Sequence, residues 1–180
     1  MKEYLDNLIS SHSAIIDNQK KHKTFLRDAY NFAEKNSSDN ATWTGAVIVK
    51  DNTIVSEGAN RFAPGVKKTK ERQERPKKYL YLLHCERDAI YNAARKGVSL
   101  QGCTMYMPWI PCCACANAII TSGIKALVVH YPKIIRTPED WMDDIKEAVK
   151  MLIEANVKLI VVDEHIGGCK NRFRGIEWNP

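Results

Sequence analysis

Two short stretches of this 180-residue chain hold the residues best suited to chemistry: LLHCERDAI, with His84 and Glu86, and PWIPCCACANAI, with Pro111, Cys112 and Cys115. A lone Cys-x-x-Cys fits zinc, an iron–sulfur cluster, redox chemistry or chance. An upstream His-x-Glu and a proline directly before the first cysteine narrow the reading to a metal site with an acid beside it. One imidazole and two thiolates give three protein ligands and leave a fourth tetrahedral position for water, the arrangement of a catalytic rather than a structural site. Water in such a position is acidified toward a pKa of about 7. Glu86, close to the ligand His84 but not itself a ligand, can then act as general acid and base. The competing reading is a structural site closed by a fourth cysteine. Cys85 and Cys113 adjoin ligands and point away from them by the helical period, and Cys103 and Cys169 read as buried thiols. His22, His130 and His165 read as structural or exposed histidines.

These side chains need elements to hold them. The spacing of Phe25, Ala29, Phe32 and Ala33 predicts a helix over Thr24 to about Lys35, with Thr24 as its N-cap. TGAVIVKDNTIVSEGAN reads as two strands around a tight turn. Residues 61–80 contain two prolines and no sustained apolar period, so they read as a long, functional excursion. A helix over Glu86–Lys96 capped by Gly97 follows, then a strand in CTMYM. The run CCACANAIITS is helical and puts Cys112 and Cys115 in a first turn, where the helix dipole and free N–H groups lower a thiol pKa. KALVVHY (strand), PEDWMDDIKEAVKMLIEAN (helix) and VKLIVVD (strand) complete a mixed five-stranded sheet covered by helices, an α/β layered domain. The tail EHIGGCKNRFRGIEWNP reads as irregular.

Composition sets the outer bounds. The length and 44% hydrophobic content suit one domain, residues 1–180, with its core over about 24–163. No apolar run is long enough to span a bilayer and MKEYLDNLISSH lacks the features of a secretory signal, so a cytoplasmic protein with no membrane partner is expected. Six cysteines in a reducing compartment point to metal or burial rather than disulfides. The net charge of +6 is spread thinly apart from KKHK at 20–23 and KKTKERQERPKK at 67–78, which read first as solvated faces.

His-x-Glu followed by Pro-Cys-x-x-Cys is the signature of the zinc deaminases. Over roughly residues 24–163, and most strongly over HCERDAIYNAARKGVSLQGCTMYMPWIPCCACANAIITSGIKALVV, the chain resembles the deoxycytidylate (dCMP) deaminase family of the cytidine deaminase-like zinc-dependent superfamily. It supplies His84, Glu86, Ala89, Ile90, Gly97, Pro111, Cys112, Cys115, Ala116, Gly123 and Ile124 at the motif positions. It departs with Cys85 in place of alanine, Asp88 in place of asparagine, and Arg61 in place of a glycine after Asn60.

The resemblance implies a three-layer cytidine deaminase-like fold, one catalytic zinc ion on His84, Cys112 and Cys115, and Glu86 as proton shuttle. The implied reaction is hydrolytic deamination of dCMP to dUMP and ammonia. The alternatives are a deaminase of dCTP or of C5-modified dCMP, or a tRNA or nucleic-acid base deaminase, with a structural zinc module last. Asn60 looks like the asparagine that reaches the substrate in this superfamily. The long basic segment between Asn60 and His84 favours the dCMP branch over the tRNA branch, and its Lys67, Lys68, Arg72, Arg75 and Lys77 are candidates for a substrate phosphate or for subunit contacts. Arg75 leads them because arginine binds phosphate bidentately. Trp109, beside the expected metal, is a candidate apolar wall for a flat base, and Tyr131, just past a strand end, a weaker one. The family also implies a homo-oligomer, commonly a hexamer, and in some members a nucleoside triphosphate effector bound at the turn that Arg61 alters here.

Overall fold

A computed structural model describes residues 1–180. Helix α1 (Lys2–Ser10) and strand β1 (Ala14–Ile16) lead into α2 (Lys20–Asn36) and the pair β2 (Gly45–Lys50) and β3 (Thr53–Ala59). Four short pieces follow: β4 (Arg61–Phe62), α3 (Lys70–Gln73), α4 (Lys78–Tyr81) and β5 (Leu82–Leu83). Then come α5 (Cys85–Arg95), β6 (Thr104–Tyr106), α6 (Cys113–Thr121), β7 (Ala126–His130), α7 (Tyr131–Ile134), α8 (Met142–Glu154) and β8 (Lys158–Val162). Strands β9 (Asn171–Phe173) and β10 (Ile176–Trp178) end the chain. No helix is long and apolar enough to cross a membrane.

The main sheet is mixed and runs β1-β8-β7-β6-β2-β3. Strands β6, β7, β8 and β1 are parallel, whereas β2 is antiparallel to both β6 and β3. The sheet is therefore the expected mixed one flanked by helices, with six strands rather than five. The extra edge strand is only three residues long, too short for a period to register, and it is recruited by pairing Ala14, Ile15 and Ile16 with β8.

Side-chain alternation explains why the inner strands read as continuous apolar runs: both faces are covered. Ala46, Ile48, Leu127, Val129, Leu159 and Val161 join the larger core cluster with residues of α5, α6 and α8. Their neighbours Val47, Val49, Val128, Ile160 and Val162 join the smaller cluster with Leu26, Ala29 and Tyr30 of α2. The result is three layers, with α2 on one face and α5, α6 and α8 on the other. The β2–β3 turn has Asp51 and Asn52 at φ +49° and +61°, the left-handed pair that a two-residue hairpin loop requires.

Two local expectations are corrected. Helix α2 begins at Lys20, with Gln19 in the N-cap position, so Thr24 is not a cap; its Oγ1 donates back to Lys20 O at 3.0 Å. The polar KKHK turn carries no apolar period, and His22, buried and held between Tyr106 Oη at 3.1 Å and Asp17 at 3.3 Å, anchors it. The tail is not irregular either. Phe173 pairs with Ile176 across a turn in which Arg174 and Gly175 lie at φ +51° and +85°, making a second tight hairpin.

The 61–80 excursion is closed at its base by β4 and β5, which pair Arg61 with Leu83 and Phe62 with Leu82. That pairing brings the next residues out, Asn60 and His84, alongside each other. The loop itself is pinned by a buried ion pair from Lys78 Nζ to Asp39 Oδ2 at 2.8 Å.

Candidate active site

Two helix N-termini converge near the carboxyl end of β6, whose continuation through Met107, Trp109 and Ile110 lines the cleft between them. His84 occupies the N-cap position of α5 and Cys112 that of α6, and neither side chain caps its own helix. Both are therefore free for another partner. Cys112 Sγ lies 3.5 Å and Cys115 Sγ 3.6 Å from His84 Nδ1, and the three donor atoms all fall within 4.8 Å of one another. A tetrahedral ion with Zn–S of about 2.3 Å and Zn–N of about 2.05 Å sets an S···N edge of about 3.6 Å. The donor set and its spacing fit zinc.

Electrostatics push the same way. A hydrogen bond from Cys115, followed by His84, pulls the Cys112 thiol down to about 4 against the opposing effect of burial. The same bond and burial hold Cys115 well above the ordinary thiol range. Burial works against a charged His84, but the hydrogen bond to Cys112 and the charge of Glu86 raise it overall. This is a site that ionises one sulfur readily and needs a cation to ionise the second. The other cysteines stand apart: the Cys113 thiol donates to Asp144 O at 3.2 Å on α8, and Cys103 and Cys169 are buried free thiols elsewhere.

Glu86 is 3% exposed and lines a cleft with His84 and Cys112. Its Oε2 accepts from the Cys85 thiol at 3.2 Å, so the cysteine that replaces the family's alanine orients the carboxylate. The other two departures prove to be partners. Asp88, buried, accepts through Oδ2 from the Ala59 N–H at 3.0 Å and from Arg61 Nε at 2.7 Å. A carboxylate in place of asparagine and an arginine in place of glycine thus form one ion pair, which clamps the end of β3 to α5. Between them Asn60 Oδ1 accepts from the Cys85 N–H at 2.9 Å, which fixes the side chain while leaving its NH2 group without a protein partner.

The cleft encloses about 840 Å³, including its open mouth. Asn60, Trp109 and Arg75 all line it. Trp109 is held by Nε1 donating to Thr137 Oγ1 at 2.8 Å and stands edge-on to Phe173, ring centres 5.4 Å apart. Arg75 is exposed at the rim. Tyr131 is a correction. It is absent from the lining, and its hydroxyl donates to Asp6 Oδ1 at 2.8 Å, because the residue opens α7 and ties it to α1. Of the other basic candidates, Lys67 and Lys68 do not line the cleft, Arg72 stacks on Tyr81 at 4.6 Å, and Lys77 pairs with Glu71.

Several lining residues were not singled out in the sequence: Thr44, Lys78, Trp141, Phe173 and Arg174. Trp141 lies 6.1 Å from the His84 ring and 6.2 Å from Trp109, extending the aromatic wall. Behind that wall sits the fully buried Lys133, its Nζ 4.5 Å from the Phe173 ring and bonded to Asn171 Oδ1. Burial, with Arg136 nearby, draws its ammonium down to about 7. The one signal available for Arg174 was the Arg-Gly pair of a turn.

Residues 19–131 match the family model described as the cytidine and deoxycytidylate deaminase zinc-binding region. The chain belongs to this deaminase family. Deaminases are hydrolases, so the chemistry to seek in the cleft is hydrolysis of a C–N bond. This deaminase is 38% identical over 127 residues to an uncharacterized deaminase in the luxG 3′ region of Aliivibrio fischeri, covering 68% of this chain and 81% of that one. It is 39% identical over 127 residues to a probable deoxycytidylate deaminase of Caenorhabditis elegans, covering 66% of this chain but only 63% of the relative. A dCMP deaminase of cyanophage S-TIM5, solved in complex with dCMP and dUMP, matches with a TM-score of 0.62 at 20% identity over 78% of this chain and 95% of that one. That likeness shows a shared fold.

Proposed function

We propose that this deaminase hydrolyses the 4-amino group of a cytosine deoxynucleotide, dCMP, giving dUMP and ammonia. The observation that carries the reading is the placement of Glu86 in an aromatic-walled cleft next to a His-Cys-Cys set with zinc edge lengths. The relatives' names support the choice of nucleotide.

His84 Nδ1, Cys112 Sγ and Cys115 Sγ would hold one zinc ion, which when bound supplies Lewis-acid activation of water. The chain's own residues do the rest. Glu86 takes one proton from the attacking water as its oxygen bonds to C4 and passes it to ring N3, then takes the second from the new C4 hydroxyl and gives it to the departing amine as the C4–N bond breaks and the C4 carbonyl forms. The Cys85 thiol holds one carboxylate oxygen, leaving the other to move protons. Trp109 and Trp141 flank the flat ring and keep bulk water away. The Asn60 NH2 group, fixed through Cys85, donates to the substrate.

With Arg61 committed to Asp88, this turn offers no unpaired cation to a triphosphate effector. A homo-oligomer would cover the exposed Leu80 and Ile176, and a reducing cytoplasm suits two thiolate ligands. The test is ammonia release from a panel of dCMP, dCTP, C5-methylated and hydroxymethylated dCMP, deoxycytidine and a tRNA. dCMP is expected to give the highest kcat/KM. Preference for the polymer, with steep salt dependence, would overturn the reading.

A further inference from the structure

The cleft contains polar groups that neither the metal site nor the proton shuttle uses. Thr44 is 4% exposed, its Oγ1 has no hydrogen-bond partner, and it lines the cleft. Buried hydroxyls are almost always satisfied, so an orphan on a cleft-lining residue marks a place for a ligand's donor or acceptor. It stands next to Asn60, whose backbone N–H donates to Thr44 O at 3.0 Å.

Farther along the same wall the charges divide. Lys78 is neutralised by Asp39. On the C-terminal hairpin Arg172 is likewise engaged, pairing with Glu177, donating to Asn40 O at 3.2 Å and stacking on Trp43 at 4.7 Å. Two exposed arginines line the cleft with no ion pair or side-chain hydrogen bond: Arg75, on the 61–80 excursion and over the Tyr79 ring at 5.7 Å, and Arg174, two residues on from Arg172 and the one tied to Thr42, on the Thr44 side of the cleft. Its backbone is nonetheless fixed: the Arg174 N–H donates to Thr42 Oγ1 at 3.2 Å and the Gly175 N–H to Ala41 O at 2.8 Å. Along the wall the order is therefore Glu86 and Asn60, then Thr44, then Thr42 with Arg174.

We propose that Thr44 and Arg174 form the sugar–phosphate subsite of this cleft: Thr44 Oγ1 bonds the sugar 3′-hydroxyl, and Arg174 pairs with the 5′-phosphate of a deoxynucleoside monophosphate. The inference rests on the proposed cytosine chemistry at Glu86 and adds the residues that select a nucleotide over a nucleoside. Arg174 lies beyond residue 131, where the family match ends, so the C-terminal hairpin acts as a specificity element of this chain. A planar, unpaired guanidinium carried into the cleft lining on a fixed backbone suits a phosphate bidentately.

The experiment compares kcat/KM for dCMP, deoxycytidine and the 2′,3′-dideoxy analogue of dCMP in the zinc-loaded full chain. Arg174→Gln should reduce the preference for dCMP over deoxycytidine by about tenfold to hundredfold, the worth of a charge-assisted pair. Thr44→Val should erase the preference for dCMP over the dideoxy analogue, and Thr44→Ser should restore it. Preferences within about twofold of the parent's in both Arg174→Gln and Thr44→Val would overturn the subsite. Should the parent protein deaminate no cytosine substrate, the proposed function fails separately. Calorimetric binding of dCMP against deoxycytidine by parent and Arg174→Gln then decides the subsite, equal losses for both ligands overturning it.

Discussion

Gly58 of β3 sets how closely the helix carrying Glu86 can approach the sheet, and Gly58→Ala measures that dependence. An added Cβ would lie 2.3 Å from Ala89 N and 2.3 Å from Cys85 O, both backbone atoms of α5, where ordinary contact begins at 3.4 Å. Helix α5 must retreat by about 1.1 Å, the difference of those two distances. Neither contact is a flexible side-chain end that could swing away. The retreat pulls on the Ser56–Ala89, Ala59–Asp88 and Asn60–Cys85 hydrogen bonds together. It also displaces Glu86, one residue from Cys85. Overpacking of this kind costs about 1–3 kcal/mol, and a misplacement of about 1 Å at a reacting group costs about a hundredfold in rate. Gly58 has no left-handed φ, so alanine is tolerated by the backbone and the effect isolates the close approach. Urea unfolding with ammonia-release kinetics on the same preparation gives both numbers. A Gly58→Ala protein with the parent's midpoint and kcat would refute the reasoning.

Substituting Cys112 or Cys115 by serine should strip zinc from the purified protein, read by atomic absorption; an unchanged metal content would overturn the donor set. Asp88→Asn leaves Arg61 without its carboxylate while the amide can still accept from Ala59 N–H, and should lower stability by about 1–3 kcal/mol in urea unfolding, an unshifted midpoint counting against the clamp. Lys133 titrates near 7 when folded against 10.5 ordinarily, chiefly through burial, so between those values the unfolded chain holds the extra proton and stability rises with pH. The stability difference between the parent and Lys133→Met should therefore change in the parent's favour by up to about 1.4 kcal/mol per pH unit across that window; a flat difference would rule out a buried, weakly basic Lys133.

What the sequence made legible was chemistry concentrated at helix starts. His84, Glu86, Cys112 and Cys115 sit within a few residues of one another in two runs, and the helical period turns their neighbour Cys113 away from the ligands, although only the fold shows that it meets Asp144 of α8. Strands buried on both faces were equally plain as apolar runs. What escaped were contacts made across long sequence separations. Phe173 and Arg174 reach the cleft only because the terminal hairpin docks on residues 40–43, through bonds such as Trp43 N–H to Arg172 O at 2.9 Å, and a three-residue strand has no period to read. Tyr131 was misplaced for the converse reason. A strand end predicts proximity to the crevice, but the turn into α7 aims that ring at α1. The two atypical residues beside the motif were visible and only the fold gives them partners: Cys85 for Glu86, and Asp88 for Arg61.

The measurement that bears most directly on the central claim is the zinc content and dCMP turnover of Glu86→Gln. The amide keeps the shape of the side chain but cannot carry a proton between water, N3 and the leaving amine. The account predicts full zinc occupancy with kcat lowered by about a hundredfold to ten-thousandfold, the usual worth of a general acid–base. Near-normal turnover would contradict the role of Glu86, and loss of zinc would contradict its separation from the metal's ligands.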